Sequence, residues 1–306
     1  MQKISYTVRA AMAGTMVLWG ISFVASKIVL SEITPLTYMG IRFLIASVLL
    51  AGVMAIRGRP RFSRKTHGLI ALTALAEPVA YFLFESFGIA LIPATLASLI
   101  IATIPIAVMV LAAIFLGESI RPIGLIAVLV SIGGIALLVF GAPQAPNGAT
   151  GEDLTRGILL VFGAVFSAAC YITLARSLTQ RHDPINLTVV QTWWGAGVFV
   201  ILWQLQQPAG RSLEPLSTTG WVALIFLAAG ATVAAFLLYN WALRYASAGE
   251  ASVYINGIPL VTAITGWFVL GERLAPQQWM GAALVLLSVW LAGRLSRTPV
   301  VIPPEA

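Results

Sequence analysis

Charge is what this chain has least of. Asp, Glu, Lys and Arg together make up 9% of its 306 residues, against about 25% in soluble domains. A chain so poor in charge has no means of covering a water-facing surface, so lipid must be its main solvent. Cysteine is nearly absent too. Cys170 alone cannot form an internal disulfide, so the redox compartment is unreadable, and its apolar surroundings suit a small packing residue. The two histidines, His67 and His182, form no H-E-x-x-H pair. No G-x-S-x-G elbow and no Gly-rich phosphate loop is present. The longest loops run to about 15 residues, too short for a soluble catalytic domain. These absences argue against an enzyme, against ATP-driven work, and against any metal or cofactor.

What the chain has instead is long apolar runs, with 59% hydrophobic residues overall. A membrane-spanning helix needs about 20 apolar residues. The start, MQKISYTVRA, leads into a run with no small-residue cleavage site, so it reads as a retained first helix rather than a signal peptide. Ten spans follow from the runs and their Pro, Gly or charged breaks. They are Val8 to Leu30, Pro35 to Ile56, His67 to Leu91, Ala94 to Leu116, Pro122 to Phe140, Arg156 to Leu178, Ile185 to Leu205, Thr218 to Leu243, Ala248 to Leu270 and Pro276 to Leu295. The expected fold is an all-α polytopic membrane protein of ten transmembrane helices.

The net charge of +7 does not point to nucleic acid, because the cations sit in loops and at helix ends and form no dense array with aromatics. Lys3, Arg9, Arg57, Arg59, Arg61, Arg64, Lys65, Arg121, Arg176, Arg181, Arg244, Arg294 and Arg297 fall on one side of the ten spans. Only Lys27, Arg156, Arg211 and Arg273 fall on the other. The excess of cations in cytoplasmic loops places both termini in the cytoplasm. The cluster RGRPRFSRK carries much of that signal, although binding to anionic lipid heads is a second reading of it.

Self-comparison reveals an internal repeat. At an offset of 154, ATLAS (Ala94 to Ser98) falls on AGEAS (Ala248 to Ser252), Ile104-Pro105 on Ile258-Pro259, and Leu116-Gly117-Glu118 on Leu270-Gly271-Glu272. Nearer the front the offset is 149: Lys27 meets Arg176, Pro35 meets Pro184, and Arg42 meets Gln191. Each half holds five spans, an odd number, so the second half enters the membrane inverted. The expected units are 1–141 (first repeat), 142–155 (a turn-rich connecting loop), 156–297 (second repeat) and 298–306 (a disordered tail). Such inverted pairs recur in secondary transporters, with the site near the midplane between them.

Pro105 and Pro259 lie inside their expected spans. Each removes a backbone donor and frees a carbonyl, so the pair marks candidate hinges beside a cavity, or simple structural kinks. Gly117 and Gly271 suit a left-handed helix end, with Pro122 and Pro276 opening the next helix. Their neighbours Glu118 and Glu272 read as surface or capping residues.

Polar residues inside the membrane are costly and face interiors or water paths. The third span carries Glu77 and Glu85, about 12 Å apart in depth and roughly 80° apart in azimuth. They suit one cavity wall, binding an amine or a coupled proton, but are too far apart to share a proton. Pairing with Arg42 or Lys27 is the structural alternative, as is a protonated carboxyl bonded to a backbone carbonyl. Arg42 in the second span either holds a substrate carboxylate or partners an interior Glu. Lys27 and Arg176 reach toward headgroups. Trp19, Tyr81, Tyr171, Gln191, Trp194, Tyr239, Asn240, Tyr254 and Asn256 nominate a polar, aromatic-lined cavity, although any single aromatic also suits an interface anchor.

Several of these features together resemble the EamA-like families of the drug/metabolite transporter superfamily. They are Trp19-Gly20 with Lys27 in the first span, Arg42 in the second, the Ala-x-x-Ala-Ser starts of spans four and nine, and LGE before a Pro-containing turn. The resemblance covers about residues 10 to 295. It implies two inverted bundles, with spans one to four and six to nine around a central cavity and spans five and ten as scaffold. It also implies outward movement of amino acids, related metabolites or drugs. The chain departs from its own pattern at Gln191, where Arg42 would predict a cation.

The expected function is therefore a secondary transporter of the cytoplasmic (inner) membrane that exports small metabolites by alternating access. Amino acids, aromatic ones included, are the expected cargo. A multidrug or organic-cation exporter is the alternative, and a channel or an intramembrane enzyme the outside readings. Expected partners are a small-molecule substrate, the lipid bilayer and a coupling proton.

Overall fold

The computed structural model describes residues 6–58, 60–116, 122–140, 151–206, 215–242 and 257–295. We number its helices α1 (Tyr6–Leu30), α2 (Pro35–Arg57), α3 (Arg64–Ala74), α4 (Tyr81–Leu91), α5 (Ala94–Ile101), α6 (Ile104–Leu116), α7 (Pro122–Phe140), α8 (Gly151–Arg181), α9 (Pro184–Gln206), α10 (Thr218–Phe226), α11 (Ala235–Ala242), α12 (Ile258–Leu270) and α13 (Pro276–Leu295). The described residues are helical and contain no strand. Seven segments among them are long and apolar enough to cross a membrane: Tyr6–Leu30, Pro35–Arg57, Arg64–Leu91, Ala94–Leu111, Gly151–Ile172, Pro184–Gln206 and Thr218–Ala242. Shorter apolar stretches lie at Leu129–Leu138 in α7 and Ile258–Leu270 in α12. Large apolar side chains such as Val48, Ile56, Leu159 and Phe268 face outward, as expected of a protein solvated by lipid.

The helix ends carry the repeat into three dimensions. Ser63 caps α3 by accepting the Thr66 N–H, and Ser217 caps α10 by accepting the Gly220 N–H. These serines are 154 residues apart, the offset of the sequence repeat. Thr34 and Asp183, 149 apart, begin α2 and α9 in the same manner, Asp183 accepting from Ile185 and Asn186. Gly271 ends α12 in the left-handed conformation (φ 68°, ψ 16°), and Pro276 opens α13, as the sequence suggests. Gly117 lies outside the described residues. Helix α8 begins at Gly151, earlier than the apolar run, because Glu152 and Asp153 fit a helix's first turn.

The third span of each half is not one continuous helix. Between α3 and α4 the chain passes through a wide turn, Leu75–Ala80, in which Glu77 is extended (φ −145°, ψ 120°) and Pro78 offers no N–H. Between α10 and α11 a second wide turn covers Leu227–Ala234. Such widenings cluster at functional sites. The fourth span also breaks, at Ala102–Thr103, so Pro105 sits in the first turn of α6. Pro259 likewise sits in the first turn of α12. In the first turn of a helix neither proline's missing N–H leaves a helical carbonyl without its donor.

Helices α7 and α13, which cover the expected fifth and tenth spans, pack face to face. The contact is close: a Cβ added at Gly281 would lie 2.6 Å from the Gly134 carbonyl oxygen. The central helices bury aromatic and aliphatic side chains around Tyr38, Phe43, Phe82 and Phe199.

Candidate functional site

The wide turn at Glu77–Pro78 borders a narrow cavity of about 20 Å³, room for about one water, between the halves. Phe43, Glu77, Pro78 and Phe82 line it from the first half, and Tyr171, Thr188, Gln191, Thr192, Thr232 and Phe236 from the second. Its aromatic walls and few polar groups match the lining of small-molecule sites, while its volume in this structure is far below theirs.

Glu77 is the ionisable group on this wall. Its carboxylate makes no hydrogen bond or ion pair among the described residues. An unpaired carboxylate at membrane depth is costly and calls for a cation, a proton or water to satisfy it. Glu85 lies two turns further on, buried, and accepts a hydrogen bond from the Tyr81 hydroxyl at 3.1 Å. Tyr81 packs edge-on against Phe82.

Arg42 stands behind the cavity wall, 2% exposed. Its Nε donates to Thr232 Oγ1 at 2.9 Å, and its Nη1 donates to the Tyr38 hydroxyl. The guanidinium lies 4.5 Å from the Phe82 ring centre, with Tyr38 and Phe43 also beside it. Among the described residues no carboxylate comes within 4.0 Å of it. Cation–π contacts and hydroxyls stabilise this charge where an ion pair was one expectation.

Gln191 is the counterpart of Arg42. Its Nε2 donates to Thr73 Oγ1 at 3.0 Å, and its Oε1 accepts from the Tyr171 hydroxyl at 3.3 Å. Asn240 donates to Thr188 Oγ1, fixing that hydroxyl on the cavity wall. Trp19 donates to the Ala231 carbonyl at 3.2 Å, meets the Phe236 ring edge-on and lies tilted against Tyr239. It therefore supports the cavity from α1 through Phe236. Trp194 is placed elsewhere: it is 48% exposed on the outer face of α9, beside Trp193. Tyr254 and Asn256 lie outside the described residues.

Sequence reasoning missed Phe43, Pro78, Phe82, Thr188, Thr192, Thr232 and Phe236 as lining residues. Pro78 carried a usable signal, a proline next to an intramembrane glutamate. Lys27 does not reach for the headgroups. Its ammonium donates to the carbonyls of Ile89, Ala90 and Ile92 at 2.7, 3.2 and 2.9 Å, capping the end of α4, because unsatisfied C-terminal carbonyls attract a cation.

Interrupted helices from two related halves, meeting at a polar and aromatic cavity, define a membrane transporter. Two stretches of the chain, residues 9–140 and 155–294, match the EamA-like transporter family. The chain belongs to this family and is a multi-pass membrane transporter. It is 29% identical to an "Uncharacterized transporter" of Archaeoglobus fulgidus, over 92% of this chain and 97% of that one. It is 25% identical to the "Uncharacterized inner membrane transporter YedA" of Escherichia coli K12, over 90% of this chain and 87% of that one. It is 27% identical to a chloroplastic WAT1-related protein of Arabidopsis thaliana, over 89% and 66%. A solved crystal structure shares the fold, with a TM-score of 0.65 at 17% identity over 95% of this chain and 97% of that one.

Proposed function

We propose that this transporter is a secondary carrier of amino acids, aromatic ones included, and that it exports them across the cytoplasmic membrane by alternating access. The observation that carries the reading is the Glu77 carboxyl in the inter-repeat cavity, which has no hydrogen-bond or ion-pair partner among the described residues. It offers a site for a substrate ammonium, while Phe43, Phe82, Tyr171 and Phe236 offer faces to an aromatic side chain. Arg42, which has no carboxylate within 4.0 Å among the described residues, stands one side chain behind as the partner for a substrate carboxylate.

The reading includes ten spans in two inverted halves with both termini cytoplasmic, supported by the repeat and the loop charges. Glu77 or Glu85 would carry a coupled proton when substrate is absent. Organic-cation export is the second reading, because the aromatic rings around Glu77 suit a cation that lacks a carboxylate.

The test is uptake into liposomes holding the purified protein, with labelled amino acids, amines and sugars. Saturable amino-acid flux that Glu77→Gln abolishes is the expected outcome. Saturable flux of amines alone would transfer the assignment to organic cations.

A further inference from the structure

The LGE triplet of the second half has a use that the cavity does not explain. Glu272 lies in the short connection between α12 and α13, and its carboxylate reaches across to the first half. One oxygen accepts the Ala94 N–H at 2.8 Å. The other accepts the Thr95 N–H at 2.9 Å and the Thr95 hydroxyl at 2.6 Å. These are the free donors at the start of α5, so the carboxylate complements both the unmet N–H groups and the helix dipole. Charge-assisted bonds of this kind are about twice as strong as neutral ones. On the other side of the same Ile92–Pro93 turn, Lys27 caps α4. Thr262 of α12 donates to the Gly20 carbonyl of α1 at 2.9 Å, continuing the seam between the halves.

A second carboxylate repeats the pattern at the same end of the molecule. Glu32, just after α1, accepts from the Ser217 N–H and from its hydroxyl, both at 2.7 Å, at the start of α10. Each bond joins one half to the other. At the opposite end, the ion pair among the described residues is Arg57 with Asp183 at 3.6 Å, with both side chains partly solvated. Exposed pairs of that kind contribute little. Among the described residues, carboxylates docked on helix starts join the halves at one end, and the partly solvated Arg57–Asp183 pair joins them at the other.

We propose that Glu272 is a gating residue: its dock on α5 latches the two halves at this end, and the carrier opens there only when the dock releases. The latch is made in this structure. Alternating access needs a contact between the halves that is strong enough to close one end and reversible enough to break in each cycle. A carboxylate on a helix start meets both needs, since water can satisfy either partner after release. Thr95 and Ala94 are positioning residues for it. The inference rests on the carrier reading only in requiring two access states.

The test uses the full chain in liposomes, with Cys170→Ala removing the native thiol and Thr192→Cys reporting from the cavity wall. A membrane-impermeant thiol reagent is applied from each face in turn, without substrate. Glu272→Gln keeps the shape but loses the charge. It should speed labelling from the Glu272 face about fivefold or more and slow labelling from the opposite face, as a shift between two states requires. Thr95→Val, which removes one of the three bonds, should do the same to a smaller degree. Labelling rates equal to the parent's from both faces, with only a lower melting temperature, would mean that the dock is a structural cap and would overturn the proposal. If Glu272→Gln does not fold, parent-like labelling in Thr95→Val overturns it alone. Equal labelling from both faces in the parent itself would instead remove the two-state carrier reading, so the two failures are distinguishable.

Discussion

Arg42 and Gln191 occupy equivalent positions in the two halves, 149 residues apart, and each donates to a threonine on the third span of the other half. The symmetry extends one bond further. The Thr232 hydroxyl donates a hydrogen bond to the Leu227 carbonyl, and the Thr73 hydroxyl donates one to that of Ile70. The cross-brace is thus duplicated while the charge is not. Positive charge therefore stands behind the cavity wall in the first half only.

Because Arg42 combines two hydrogen bonds with three aromatic contacts, Arg42→Ala should destabilise the protein by about 2–4 kcal/mol. Gln191→Ala, which loses two neutral bonds, should cost about 1–2 kcal/mol. Thermal melts of the two variants in detergent check the order, and equal losses would show that the charge adds nothing.

Glu77 should behave in the opposite sense. It has no protein partner among the described residues, so Glu77→Gln should leave the melting temperature unchanged or raise it, while transport of an amine-bearing substrate falls about tenfold or more. A fall in stability matching the loss of flux would assign Glu77 to the structure instead of the site.

Lys27→Met should lower stability by about 1–2 kcal/mol, because three carbonyls at the end of α4 lose their donor. Lys27→Arg should recover part of that loss. A melt of the Met variant that matches the parent would contradict the capping role.

Glu32 gives a pH-dependent prediction outside the membrane. The Ser217 N–H, and next its hydroxyl, hold the Glu32 carboxyl below its usual range. A depressed value in the folded state means the bond stabilises the protein above the unfolded-chain value, about 4.3. That stabilisation is lost as pH falls below it through the folded value. Melting temperature should therefore fall less steeply below about pH 4 in Glu32→Gln than in the parent. Identical slopes would show that the bond contributes no linkage.

Close packing between α7 and α13 gives a steric prediction. A side chain at Gly281 has no room against Gly134 and Leu138, so Gly281→Val should destabilise by about 2–3 kcal/mol or prevent folding. Gly133, which has open space at its Cβ position, should tolerate alanine, and comparing expression and melting of the two variants decides it.

Much of the scaffold was legible in the sequence because apolar length, capping residues and the repeat are local or periodic signals. Gly271 and Pro276 behave as their types require. Glu77 stood out because a carboxylate in an apolar run is conspicuous. Its lining partners did not: Thr188, Thr192, Thr232, Phe43 and Phe236 are ordinary residues of a lipid-solvated helix, and only tertiary packing selects them. The same holds for Glu272, whose partner lies 177 residues away. Its capping role followed from its residue type, but no local pattern names the helix it caps. Trp194 shows the converse, an aromatic that looked like a wall residue and faces outward, where lipid-facing tryptophans commonly lie. The interruption at Pro78 was visible as a residue, but its consequence depended on Glu77 adopting an extended backbone.

The most direct measurement is concentration-dependent uptake of a labelled aromatic amino acid into liposomes, by the parent protein and by Glu77→Gln side by side. The account predicts saturable flux in the parent and flux at background in the variant, with both proteins folded. Flux that rises linearly without saturation, or that survives Glu77→Gln unchanged, would contradict it.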